Sequence, residues 1–140
     1  MFHKILVAHD GSEGAQKALL AALDLAAVCK AELHTISIIE VHSHFAATMG
    51  EITEEREEDK KFYQRVAEES RRVASDRGIA IHAEVKTGHE VETIIHYLRD
   101  NGYDLLVVGF MGHSRVFGRI WGGTSQNLAK LASCSVLVVK

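Results

Sequence analysis

The sequence predicts an α/β fold in which a parallel sheet carries helices on both faces. Three observations predict it. Short apolar runs of strand length alternate with longer segments of helical period, in the order βα four times and then a closing strand. The runs differ in pattern, two of them apolar on both sides and one alternating, as central and edge strands of one sheet would. The fourth run opens into GFMGHSRVFGRIWGGTS, residues 109–125, and in open parallel sheets ligands sit beyond the carboxyl ends of the strands.

Residues 4–8 (KILVA) read as a short strand buried on both faces. HDGS follows, with Asp10 and Gly11 making a tight turn and Ser12 placed as an N-cap. Residues 13–30 are Ala-rich and helical, with Ala15, Ala18, Leu19, Ala22, Leu25, Ala26 and Cys29 on one face. A second strand spans about 33–39, and residues 40–50 read as a loop. A long helix over about 51–77 has a stripe of Phe62, Val66, Ala67, Val73 and Ala74 in its second half. Its first half is almost wholly charged and reads as a solvated face. Glu57→Lys61 and Glu68→Arg72 stand as favourable i,i+4 pairs.

Gly78 is placed to end that helix. Residues 79–85 alternate, Ile79, Ile81, Ala83 and Val85 against His82 and Glu84, as an edge strand does, and Lys86–Gly88 turn the chain. Val91, Ile94, Ile95 and Leu98 mark a helix ending at Asn101-Gly102. Residues 104–108 are a second doubly buried strand, 125–133 a short helix, and 135–140 (SVLVVK) the last strand. No composition break divides the chain, so 1–140 is expected to be a single domain.

The totals exclude several classes. With 16 Lys plus Arg against 19 Asp plus Glu, the net charge of −3 argues against a nucleic-acid or anionic-membrane binder. No apolar run reaches transmembrane length, and no signal peptide precedes the first strand, so a cytoplasmic location is expected. Cys29 and Cys134 fit no zinc or CxxC pattern and are expected to be small buried thiols. His42 and His44 lack a third ligand nearby, so no metal site is assigned. The remaining histidines read as surface residues, with no role assigned to His9.

The 109–125 stretch has the outline of an anion site. Gly109, Gly112, Gly118, Gly122 and Gly123 let backbone N–H groups approach a phosphate, and Thr124 and Ser125 stand at a helix start. His113, Arg115 and Arg119 add positive or titratable charge; each arginine reads either as a phosphate partner or as a solvated loop side chain. Phe117, Ile120 and Trp121 read as packing on the body or a partner, with stacking on a base as the alternative. GxGxxG is absent, and GRIWGGTS misses the P-loop pattern because Thr124 stands in place of its lysine. Asp10 faces this loop across the sheet and either accepts hydrogen bonds from a ligand or only shapes its turn. No activated nucleophile or poised acid/base pair is present, so no catalytic residue is assigned.

Gly109-x2-Gly112-x9-Gly122 resembles the ATP-binding pattern of the universal stress protein family, and the likeness extends to ILVAHDGS at one end and SCSVLVV at the other. The resemblance implies a Rossmann-like sheet of five parallel strands in the order 3-2-1-4-5. It implies an adenine nucleotide (ATP, ADP or AMP, with Mg²⁺ as an accompanying ion) held by Asp10, Ile38, Gly109, Gly112 and Gly122, and Ala8, His113, Arg115, Gly123, Thr124 and Ser125 complete the candidate site. The chain departs from the pattern at Gly123, where a Ser or Thr is usual, and at His9. The resemblance also implies a homodimer through the last strand, which would cover an apolar edge at Val136–Val139. The expected function is a nucleotide-dependent stress-response module. A slow ATPase or autophosphorylating protein, and a dimeric scaffold that binds no nucleotide, are the alternatives.

Overall fold

A computed structural model describes residues 1–41, 48–110 and 123–140. His42, His44, Gly112, His113, Arg115, Phe117, Gly118, Arg119, Ile120, Trp121 and Gly122 lie outside the described residues. The elements are β1 (Lys4–Ala8), α1 (Glu13–Cys29), β2 (Glu32–Glu40), α2 (Met49–Asp76), β3 (His82–Gly88), α3 (Glu90–Asn101), β4 (Leu105–Gly109), α4 (Gly123–Leu131) and β5 (Ser135–Val139). All strand pairs are parallel, in the order β3-β2-β1-β4-β5. The strand reading therefore holds, with β1 at the centre, β4 beside it and β3 at an edge. Among the described residues no helix is long and apolar enough to cross a membrane.

Alternation along the strands divides the core into two layers. Ile5, Val7, Leu33, Leu105 and Val107 pack against α1 through Ala18, Leu19, Ala22, Leu23 and Ala26, with Ala74 of α2 in the same layer. Leu6, Ile36, Ile38, Leu106 and Val108 face the other way, onto Ile94 and Leu98 of α3, Tyr103 and Leu128 of α4. Both faces of β1 and β4 are thus covered, which is why neither can show polar alternation in sequence.

Several boundaries shift for identifiable reasons. The N-terminus of α2 is Met49 because Thr48 and Glu51 form a reciprocal capping box. Its C-terminus closes by a Schellman motif: Gly78 N–H donates to Ser75 O and Ile79 N–H to Ala74 O, both at 2.9 Å. Ile79 is therefore committed to the helix end, and β3 begins at His82 instead, opposite His34. Lys86–Gly88, expected as a turn, continues that pairing.

The stripe of α2 also differs. Phe62 is 37% exposed, whereas Ala67, Ser70 and Ala74 are buried. Small residues let α2 lie close to the sheet, and Ser70 satisfies its hydroxyl by donating to Val66 O at 2.8 Å. On its outer face, Arg72 bonds Glu69 and Asp76 in place of the expected Glu68 partner.

Cys29 and Cys134 are free thiols, partly exposed and not buried, because they lie where α1 ends and where the edge strand β5 begins. Two histidines read as surface residues are covered instead. His9 is 6% exposed, and His34 lies under Tyr103, whose Oη is 2.9 Å from its Nδ1.

Candidate functional site

β1 leads into α1 on one face of the sheet, whereas β4 is followed by α4 on the other. The carboxyl ends of these neighbouring strands therefore diverge around a crevice, the topological switch point of the sheet. A cleft of about 260 Å³ opens there. Ile36, Ile38 and Val108 contribute its strand floor, Ile94 and Leu128 its helix-side wall, and Asp10, Glu40, Tyr63, Glu90 and Thr124 its polar groups.

The HDGS turn forms one lip. Gly11 is at φ +83°, in the left-handed region. A side chain there would also strike Phe62, since an added Cβ would lie 2.6 Å from its Cζ. Three successive side chains accept hydrogen bonds from the N–H groups that follow. His9 Nδ1 accepts from Gly11 at 3.1 Å, Asp10 Oδ1 from Ser12 at 2.9 Å, and Ser12 Oγ from Ala15 at 3.1 Å. Ser12 is thus the N-cap expected of it. The turn-shaping role of Asp10 is real, and it occupies one carboxylate oxygen at the lip of the cleft.

Three helix N-termini approach the cleft, and their surroundings differ. α1 has Glu13 in its first turn and the side-chain acceptors just described. α3 has Glu90 and Glu92, and the Glu90 N–H donates to Glu40 Oε1 at 3.1 Å, so a carboxylate from the end of β2 caps that helix across the crevice. α4 carries no acidic residue in its first turn. Asp10, Glu40 and Glu90 thus make the cleft acceptor-rich; Thr124 and Ser125 of α4 line it too, and Thr124 shares a neighbouring cavity with Glu40, Glu90 and Glu92. Tyr63 stands among those carboxylates. Burial, then the charges of Asp10 and Glu90, push its phenol up to about 12, so it remains a neutral hydroxyl at physiological pH.

The expected residues Ala8, Asp10, Ile38, Gly109, Thr124 and Ser125 all line this cleft. Gly123 starts α4 one residue before Thr124, exposed, with no described residue beyond its neighbours within 4 Å of where its Cβ would be. Gly112, His113, Arg115 and Gly122 lie outside the described residues. Gly109 has a second reason to be glycine: an added Cβ would lie 2.6 Å from the main-chain carbonyl carbon and oxygen of Gly14. Its bareness lets β4 and α1 approach each other.

His9, Glu40, Tyr63 and Glu90 also line the cleft, and sequence reasoning did not place them there. Glu40 read as the first loop residue, and Tyr63 was given no role within the long helix. The usable signal was the missing helix cap: His89 makes no side-chain cap bond to α3, so another acceptor had to be supplied.

A family profile described as "Universal stress protein family" matches residues 1–140. A curated relative, universal stress protein YxiE of Bacillus subtilis, is 32% identical over 151 aligned positions covering 100% of both chains. A solved universal stress protein in complex with cAMP superposes with a TM-score of 0.76 at 24% identity, over 99% of this chain and 97% of that one. A universal stress protein family member from Arabidopsis thaliana with AMP bound superposes at 0.71 and 20% identity, over 99% and 91%. At these identities the two superpositions establish likeness of fold.

Proposed function

Because the chain belongs to the universal stress protein family, we propose that the cleft between β1 and β4 binds an adenine nucleotide and that the protein acts as a nucleotide-responsive stress module. The observation that carries the reading is the polarity of the cleft. Asp10 follows β1 on one flank of an apolar floor, and the start of α4, which follows β4 and carries no acidic residue in its own first turn, lies on the other. Carboxylates accept from ribose hydroxyls and an exocyclic amine but repel phosphate. A helix N-terminus with no acid in its first turn favours phosphate.

The purine and ribose accordingly lie over Ile36, Ile38 and Val108, beside Asp10. The phosphates point toward Gly123, Thr124 and Ser125, where Arg115 and the motif glycines are expected to join them. The cAMP and AMP carried by solved proteins of this fold support adenine nucleotides as the ligand class, with AMP, ADP and ATP the members to try first. The reading is of a binding module with no residue assigned to catalysis, and it takes the 140 residues as one domain.

Calorimetry with adenosine, AMP, ADP and ATP tests the proposal. Binding of at least one, weakened about tenfold or more in Asp10→Asn, is the expected result, since hydrogen bonds to a charged group contribute ~1.5–3 kcal/mol. The asparagine can still accept from Ser12 N–H, so the thermal midpoint should hold. A folded protein that gives no heat with any of the four refutes the reading.

A further inference from the structure

We propose that His9 is a positioning residue for the nucleotide cleft, and that its protonation releases the turn that presents Asp10, so that affinity falls below neutral pH. The consequence for affinity rests on the nucleotide reading above; the action on the turn does not.

The main chain of His9 is pinned to β2 on both sides. Its N–H donates to Ile36 O at 2.9 Å, and its carbonyl accepts from Ser37 Oγ at 2.7 Å. That main chain anchors the residue, which is 6% exposed, and the ring is held in turn by contacts at both of its nitrogens. Its Nδ1 lies 3.1 Å from Gly11 N. A main-chain N–H can only donate, so Nδ1 must hold a lone pair, and the proton of the neutral ring is on Nε2. Nε2 lies 3.3 Å from Gln16 Oε1 in α1, the acceptor that this tautomer needs. His9 thus performs for Gly11 what Asp10 performs for Ser12, a side-chain acceptor closing on the N–H two residues on.

Protonation changes the sign of this contact. A proton on Nδ1 sets one donor against another, and the Gly11 N–H loses its acceptor. On its other side Gly11 lies against the ring of Phe62, which would have to shift to admit a Cβ. Asp10 lies between His9 and Gly11, so any opening there moves the carboxylate proposed to hold the ribose.

The charged and titratable groups around the ring come from several elements. Asp10 is on its own turn. Arg65 and Glu69 of α2 line the small cavity that His9 shares with Gly11, Gln16 and Phe62. Tyr63 of α2, Glu40 of β2 and Glu90 of α3 share the cleft with it. Burial outweighs the hydrogen bond to Gln16 and the charge of Asp10, and holds the imidazole below its ordinary pKa. The ring is therefore neutral in the folded protein at pH 7. The contribution of the neutral ring is present above the unfolded value and is lost as pH falls through the folded one.

The experiment has two arms, both on the full chain. In the first, without ligand, NMR follows the His9 ring and the Gly11 amide from about pH 7.5 to about 4, below the ordinary imidazole range because burial depresses this ring. A ring still neutral at the lower end overturns the proposal. An Nε2–H tautomer at the upper end, with the Gly11 amide shifting in step with ring protonation, supports the proposal. A Gly11 amide that ignores that protonation overturns it. In the second, calorimetry measures AMP affinity over the same range for the wild type, His9→Asn and His9→Ala. Asparagine can accept from Gly11 N–H and does not titrate. The ratio of wild-type Kd to His9→Asn Kd cancels protonation of AMP and of other side chains.

That ratio should rise as pH falls, by up to about tenfold per unit below the folded pKa. His9→Ala should bind more weakly than His9→Asn throughout. A constant ratio overturns the effect on affinity. Absence of AMP binding at the upper pH overturns the nucleotide reading and that effect with it, while the ligand-free arm still decides the turn.

Discussion

Gly123 is the residue at which the chain departs from the family's hydroxyl, and the structure shows what the departure leaves. Among the described residues no atom lies within 4 Å of a Cβ placed there, and the residue opens α4 beside Thr124. Gly123→Ser should therefore fit without displacement. We expect it to tighten ATP binding severalfold while leaving adenosine affinity unchanged, because the new hydroxyl lies toward the phosphates. It should also raise stability by about a few tenths of a kcal/mol, since serine suits a helix start better than glycine. Calorimetry with the two ligands and urea unfolding read these effects separately. At this scale the sequence was partly legible. Asp10, Thr124 and Ser125 stood out because a turn aspartate and helix-start hydroxyls are local signatures. Glu40, Tyr63 and Glu90 did not, since a carboxylate at a strand end or a tyrosine in a charged helix is locally no different from surface.

The elements show how a site residue can be required by packing as well as by a ligand. Gly109 was read as a glycine that lets a ligand approach. It also lets α1 approach, with Gly14 main-chain atoms 2.6 Å from the place of its missing Cβ. Backbone cannot swing aside as a side chain can. Gly109→Ala should thus cost ~1–3 kcal/mol, the range of overpacked core sites. Urea unfolding of the ligand-free protein measures this; a stability equal to wild type would return the glycine to a role in binding alone. Element identity and order were legible throughout, because helical and strand periods are set by neighbouring residues. The ends were less so. The start of α2 depends on a reciprocal bond between Thr48 and Glu51, and the start of β3 on Ile79 first closing the helix before it.

At the scale of the whole molecule, the sheet is covered on both faces but has an edge strand at each side. β5 is one of them, with Val136–Val139 each only partly buried. Val139 O accepts from Phe110 N–H at 2.8 Å, so Val139 directs its main chain toward β4. By alternation Leu137 does the same, and Val136 and Val138 direct theirs outward. Proline at 138 would remove an outward donor and leave the β4 ladder intact. If the protein dimerises through this edge, as proposed from the apolar strand, Val138→Pro should elute as a folded monomer where the wild type elutes as a dimer. Gel filtration at micromolar concentration decides it, and a wild-type monomer would dismiss the edge pairing.

The sequence by itself determined the alternation of strands and helices, the buried character of β1 and β4, the edge position of β3 and the turn at Asp10-Gly11. Each of these follows from spacing and side-chain type over a few residues. Only the tertiary structure decided that Glu40 caps α3 from 50 residues away, that Gly109 rests against Gly14, and that the β1 turn is closed by a buried His9. Those contacts join positions that lie far apart along the chain, or depend on which face a ring is pressed against. Local periodicity carries neither. The parallel crossover supplies both, because it brings the carboxyl ends of separate strands to one crevice.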